Sequence, residues 1–303
     1  MVPESHYTSP KALRDAVTQR LRSIAAPNGR WSLSELQRQY AYDRLLARLY
    51  TIDDEWIVKG AVALLAREIS VRHSIDIDIY RQAERKLVER ELREAAALDL
   101  GDWFQFEVGP GEALSGVTQC VRYTTSASVG ATNWARFHID VVDRGVKMTG
   151  TPDEVPGVAK VFVPGVEQSG YRVYPLVDHI ADKVAGILER HGDGRPSTRF
   201  KDLVDLVALV SSVEVGADEQ RTAILSELDR RGLTNPGHFG VPDRAIWEAG
   251  FTKVARKTVG LVARTLDDAL AFVVPFVDPV LDWSATGSWD PAEGRWGDAP
   301  PNA

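Results

Sequence analysis

Residues 74–80 read Ser-Ile-Asp-Ile-Asp-Ile-Tyr, and this strict alternation restricts the segment to one kind of element. Successive side chains on a β-strand point to opposite faces, so Ile75, Ile77 and Ile79 share one face and Asp76 and Asp78 the other. The apolar face has to lie against a core, which leaves the two carboxylates standing together on the other side. Adjacent carboxylates repel, and holding them on a rigid strand is costly unless a cation neutralises them. A hard ion such as Mg²⁺ (or Mn²⁺) suits carboxylate oxygens and substrate phosphates, and two such ions would stabilise the attacking and leaving oxygens of an in-line phosphoryl displacement. An acid-decorated strand edge has the same local pattern, so the surrounding segments must decide between the two readings.

Those segments describe an α/β (α+β) chain. Leu13, Val17, Leu21 and Ile24, then Leu33, Leu36, Tyr40, Leu45 and Leu46, recur at helical spacing over 8–50 on either side of Pro27-Asn28-Gly29. A short strand at 56–58 runs into Lys59-Gly60, a helix follows over 61–68, and the Asp-Ile-Asp strand comes next. A charged amphipathic helix is expected at 82–97 and strands at 103–108, 119–129 and 136–142. In the last strand Phe137, Ile139 and Val141 oppose His138 and Asp140. Asp140 would bring a third carboxylate to the metal if its strand lay beside that of Asp76. The Gly60 turn would present helix N–H groups to phosphate. Beyond a Pro/Gly-punctuated connection at 150–174 the chain reads as helical, over 176–189, 199–213, 219–231 and 244–272, and closes on an irregular tail. The expected division is 1–165 for the mixed-sheet domain and 166–303 for the helical one.

Composition narrows the function classes. The single cysteine, Cys120, excludes an internal disulfide and a cysteine-rich zinc cluster. His73 and His138 have no partner at ligand spacing, so no histidine metal site is expected. The chain lacks a signal-like N-terminus and any apolar run long enough for a bilayer, which points to a cytoplasmic protein with no membrane partner. The formal net charge of −7 argues against nucleic acid, but the distribution of charge does not. Lys11, Arg14, Arg20, Arg22, Arg30, Arg38, Arg44 and Arg48 crowd one stretch, and Lys253, Arg256, Lys257 and Arg264 form an acid-free one. Local patches of this kind bind phosphate backbones or are simply solvated helix faces. Trp283, Trp289 and Trp296 could stack on bases or pack back on the fold.

Four ordered segments, Lys59-Gly60-Ala61, Arg72-His73-Ser74 with Asp76-Ile77-Asp78, Ala181-Asp182-Lys183, and Arg199-Phe200-Lys201-Asp202 with Asp205-Leu206, span roughly 56–210. Together they resemble the signature of the AbiEii-type nucleotidyltransferase toxins, which include the mycobacterial MenT proteins and belong to the DNA-polymerase-β-like superfamily. Ala61 departs from the pattern, where a second small turn residue is usual. The resemblance implies a polymerase-β-like mixed sheet with flanking helices and a mostly helical second domain. It implies Mg²⁺-dependent transfer of a nucleoside monophosphate from an NTP to the 3′ end of tRNA, and a cognate antitoxin as partner.

On that basis Asp76, Asp78 and Asp140 are the expected metal ligands and catalytic acids, with Asp140 helping to deprotonate the acceptor. Lys183 and Asp202 complete the catalytic set. Lys59, Gly60, Ser74, Lys183 and Asp205 are expected at the nucleotide, and Arg195, Arg199 and Lys201 at RNA. Helical geometry directs Asp202 toward the apolar stripe of Leu206, Leu209 and Val210 and Asp205 further out, which makes Asp202 the stronger candidate. A purely structural Lys183–Asp202 pair is the alternative. Other readings of the whole chain are a nucleotidyltransferase acting on a small molecule or a protein hydroxyl, and an inert binding module of the same fold.

Overall fold

The computed structural model describes residues 6–69, 72–114, 120–142 and 145–297. The chain divides into two units, one of Met1–Arg67, His73–Val146 and Asp153–Val173, the other of Glu68–Arg72, Lys147–Pro152 and Tyr174–Ala303. The first holds a seven-stranded sheet in the order β3-β4-β5-β2-β1-β7-β6, formed by Phe104–Leu114 (β3), Cys120–Val129 (β4), Thr132–Val142 (β5), Asp76–Tyr80 (β2), Ile57–Lys59 (β1), Tyr171–Val173 (β7) and Asp153–Val155 (β6). Central β2 runs antiparallel to β1 and parallel to β5. The sheet is therefore mixed, as the alternation of strands and helices predicts. Strands β6 and β7 lie in the connection that reads from sequence as irregular, and β7 pairs in parallel with β1. The expected start of β4 at Gln119 lies outside the described residues.

One face of this sheet is covered by helices. Pro10–Ile24 (α1) and Leu33–Ile52 (α2) bury Leu13, Val17, Leu21, Tyr40, Leu45, Leu46 and Leu49 in one core with Ile77, Ile79, Phe137, Ile139 and Val141. A reciprocal Ser32/Glu35 capping box starts α2. Ile75 departs from expectation. It precedes the strand and is 60% exposed, so the apolar face of β2 consists of Ile77 and Ile79. Arg44 and Arg48 also depart: both are buried on α2, and the Asp102 carboxylate accepts from Arg44 Nε and Arg48 Nη2 at 2.6 Å. These two arginines are part of the core and leave the basic stretch to the residues before them.

The second unit is mostly helical, with Leu176–Leu188 (α5), Phe200–Val210 (α6), Ala217–Arg230 (α7), Arg244–Lys257 (α8) and Leu266–Leu281 (α9). The expected single helix at 244–272 is two helices. Gly260 takes a positive φ of 81° between them, and a Thr265/Asp268 capping box starts α9 anew. The tail is not irregular throughout, because Ser288–Asp290 (β8) and Arg295–Gly297 (β9) form a hairpin. Trp289 is buried, stacks edge-on against Phe276 with centroids 4.9 Å apart, and donates its Nε1–H to Val210 O at 2.7 Å. Among the described residues no helix is long and apolar enough to cross a membrane.

Candidate active site

In the first unit the parallel register of β2 and β5 aligns Asp76 with His138 and Asp78 with Asp140. Partners in adjacent strands stand about 4.8 Å apart, and residues two apart on a strand share a face. The three carboxylates therefore occupy one polar face, opposite Ile77, Ile79, Ile139 and Val141, all of which are buried. Lys59 stands opposite Asp78 in the β1–β2 register. Gly60 then turns the chain with a φ of +60°, and a Cβ at that position would come within 1.9 Å of Asp78 Oδ2. Any side chain there would displace the carboxylate as well as strain the backbone. Ser74 Oγ accepts the Asp76 N–H at 3.4 Å, so it supports the start of β2.

Arg122 is not placed on this face by the sequence, and His138 is placed here without its partner. Arg122 on β4 pairs in register with Asp140, and its Nε and Nη2 donate to Asp140 Oδ1 and Oδ2 at 2.8 and 2.6 Å. Its Nη2 also lies 3.6 Å from Asp76 Oδ2. His138 Nδ1 stands 2.8 Å from Asp76 Oδ1. The available signal was the alternation of Arg122, Thr124, Ser126 and Ser128 with apolar neighbours, which places Arg122 on a polar face but does not say which strand lies beside it. Cys120 is half-buried, and burial, together with Asp140 and Asp78, pushes its thiol up to about 12.

An oxygen-only donor set on one rigid face suits a hard divalent cation. The Gly60 cradle, which a Cβ would fill, leaves room for the Asp78 carboxylate. Among the described residues, no three His, Cys, Asp or Glu side chains are grouped to hold a metal ion as they stand, and Arg122 takes both oxygens of Asp140. The residues fit a divalent cation once that carboxylate is released.

The expected helical residues lie in the second unit and form a network of their own. Lys183 on α5 is buried and donates to Asp202 Oδ1 at 3.0 Å and Asp205 Oδ2 at 2.6 Å on α6. Arg72 grips Asp205 in a two-pronged pair at 2.8 and 2.6 Å. The expected orientation of the two acids is reversed. Asp205 is 1% exposed, whereas Asp202 is only partly buried. The reason is that α6 has no single apolar stripe: Leu203, Val204, Leu206, Val207, Leu209 and Val210 are all buried. Burial pushes the Asp205 carboxyl up, but Lys183 and Arg72 outweigh it and hold it down at about 2. Burial likewise disfavours the Lys183 ammonium, yet Asp202 and Asp205 leave its pKa raised.

Arg199 Nη1 donates to Asp202 at 3.1 Å and crosses α5 at Gly186, where a Cβ would meet it at 2.8 Å. Arg195 is exposed and paired with Asp193, and Lys201 is exposed. In the first unit Arg14 and Arg22 line an open groove with Gln37, Asn133 and Trp134.

A family model described as the nucleotidyl transferase AbiEii toxin of type IV toxin–antitoxin systems matches residues 44–272. Among solved structures, MenT4, a nucleotidyltransferase toxin from Mycobacterium tuberculosis H37Rv, aligns with a TM-score of 0.50 at 16% identity, covering 89% of this chain and 98% of its own. A protein from H. pylori given a provisional nucleotidyltransferase description aligns with a TM-score of 0.44 at 14% identity, covering 81% of this chain and 94% of its own. No curated protein shows significant sequence similarity to the chain.

Proposed function

Because the chain belongs to the AbiEii family of nucleotidyltransferase toxins, we propose that it is a divalent-metal-dependent enzyme that transfers a nucleoside monophosphate from an NTP to the 3′ end of RNA, the tRNA acceptor end in particular. Family membership makes it a nucleotidyltransferase and implies a cognate antitoxin. The observation that carries the metal-dependent reading is the register of Asp78 with Asp140, with Asp76 on the same face. Mg²⁺ bound there would polarise phosphate oxygens and offset carboxylate charge.

The chain's own residues have the following roles in this reading. Asp76 and Asp78 present oxygens from a strand whose other face is locked in the core. Gly60 keeps the backbone low enough for Asp78 to sit over it, and Lys59 and Ser74 flank the phosphates. The acceptor oxygen attacks the α-phosphorus, the bond to the leaving pyrophosphate breaks, and the hydroxyl proton passes to Asp140. By family resemblance Lys183 and Asp202 serve the nucleotide, and Asp205 and Arg72 hold this network together. The exposed cations Arg22, Arg195, Lys201, Lys253, Arg256 and Lys257, with half-buried Arg14, support an RNA acceptor, since phosphate contacts come from such residues. Arg199 contributes there from its pair with Asp202.

The test is incubation of the purified protein with Mg²⁺, each α-labelled NTP in turn and total tRNA, beside the Asp76→Ala variant. Label entering tRNA with the wild type only is the expected result. Label entering protein or a small hydroxyl compound instead would move the acceptor to another class, and retained labelling by Asp76→Ala would remove the carboxylate face from the mechanism.

A further inference from the structure

Arg122 is a charged group on the carboxylate face, in direct contact with its acids, to which the proposed transfer gives no task. It reaches Asp140 across the β4–β5 register with both prongs of its guanidinium, at 2.8 and 2.6 Å. Such fork-on-fork pairs combine charge with two aligned hydrogen bonds and are among the stronger side-chain contacts. Asp140 is 7% exposed, whereas the Arg122 side chain keeps 31% of its surface exposed, so water reaches the guanidinium more than the carboxylate. The same Nη2 stands 3.6 Å from Asp76, which places one fixed positive charge between two of the three acids. Both oxygens of Asp140 are engaged by the guanidinium.

We propose that Arg122 and the divalent cation compete for Asp140. On this account the first cation enters at Asp76 and Asp78, and Asp140 becomes available as ligand or base only when the guanidinium lets it go. A guanidinium released from one anion is stabilised by another, and the phosphates of an incoming nucleotide are anions of matching geometry. Arg122 is thus a positioning residue that makes the third carboxylate conditional on substrate. The inference rests on the reading of Asp76, Asp78 and Asp140 as a metal site.

The experiment is a Mn²⁺ titration of the full chain, followed by loss of the free-ion electron paramagnetic resonance signal. It compares wild type, Arg122→Gln, Arg122→Lys, Asp140→Asn, the Arg122→Gln/Asp140→Asn double variant and Asp76→Asn. Releasing a charged bidentate pair is expected to tighten Mn²⁺ binding by Arg122→Gln about 10- to 100-fold. Arg122→Lys, which keeps the charge but loses the fork, should fall between wild type and Arg122→Gln, and it serves alone if Arg122→Gln does not fold. A general charge effect would persist without Asp140, so the gain must vanish when Arg122→Gln is placed in the Asp140→Asn background. Unchanged or weaker binding by Arg122→Gln, or an equal gain in both backgrounds, overturns the competition while leaving the metal site intact. Mn²⁺ binding that is absent from every variant, or indifferent to Asp76→Asn, overturns the metal site itself and the inference with it.

Discussion

Asp202 and Asp205 sit less than one helical turn apart on α6, yet they have opposite surroundings. Asp205 is enclosed and shared between Lys183 and Arg72, while Asp202 keeps a partly exposed edge. Removing one member of a buried ion network leaves its partners charged and unpaired, at a cost of about 3–5 kcal/mol. Asp205→Asn should therefore lower the unfolding free energy obtained from urea melts at neutral pH by an amount in that range, with Asp202→Asn costing less. The pH dependence follows from the depressed carboxyl. With a folded value of about 2 against 3.8 unfolded, its contribution is complete above roughly pH 4 and is lost as pH falls through about 2. His73, whose imidazole burial pushes down to about 4, titrates above that window. Urea melts at pH 7, 4 and 3 should show the gap between wild type and Asp205→Asn narrowing from pH 4 to pH 3. A gap that stays constant would mean that Asp205 is not ionised by its partners.

At the scale of elements, the terminal hairpin acts as a wedge of the second unit. Trp289 and Trp296 close on Phe276 of α9, and their indole N–H groups donate to Val210 O and Phe276 O at 2.7 and 2.9 Å. Truncating a buried Trp costs about 3–5 kcal/mol. Trp289→Ala should thus lower unfolding stability by that amount in a calorimetric or urea measurement, whereas Trp283→Ala, at a 62% exposed ring, should cost little. Elements of this kind differ in how far sequence discloses them. The alternation at β2 and β5 announces strands with one apolar and one acidic face, because a period of two survives wherever one face is buried. The order of strands is not announced, since pairing joins segments far apart, and so the contact of Arg122 with Asp140 was hidden. Helix α6 misleads for a different reason. A helix enclosed on nearly all sides has no polar stripe from which to read orientation. The break between α8 and α9 is legible in Gly260 and in the Thr265/Asp268 box, but the apolar spacing that continues on both sides predicts a single helix.

At the scale of the molecule, six segments alternate between the two units, so the chain passes from one to the other five times. The short segments carry specific work. Arg72 supplies two of the hydrogen bonds to Asp205, and Thr149 and Gly150 donate their backbone N–H groups to the Asp178 carboxylate at 2.9–3.0 Å. A fragment of residues 174–303 contains every helix of the second unit but neither of these partners. It is expected to melt at least 10 °C below the full chain by circular dichroism, or to aggregate, since buried Asp178 loses its backbone donors and buried Asp205 loses Arg72 and keeps only Lys183. A fragment that melts with the full chain would show that the inserted segments are dispensable.

That interleaving also has a consequence during synthesis. Arg72 leaves the ribosome more than a hundred residues before Asp205, and Thr149 and Gly150 leave it before Asp178. Translation that stops after the last strand of the sheet yields a chain whose early segments still wait for partners not yet made. A product truncated there is expected to leave those segments unpaired and open to proteases.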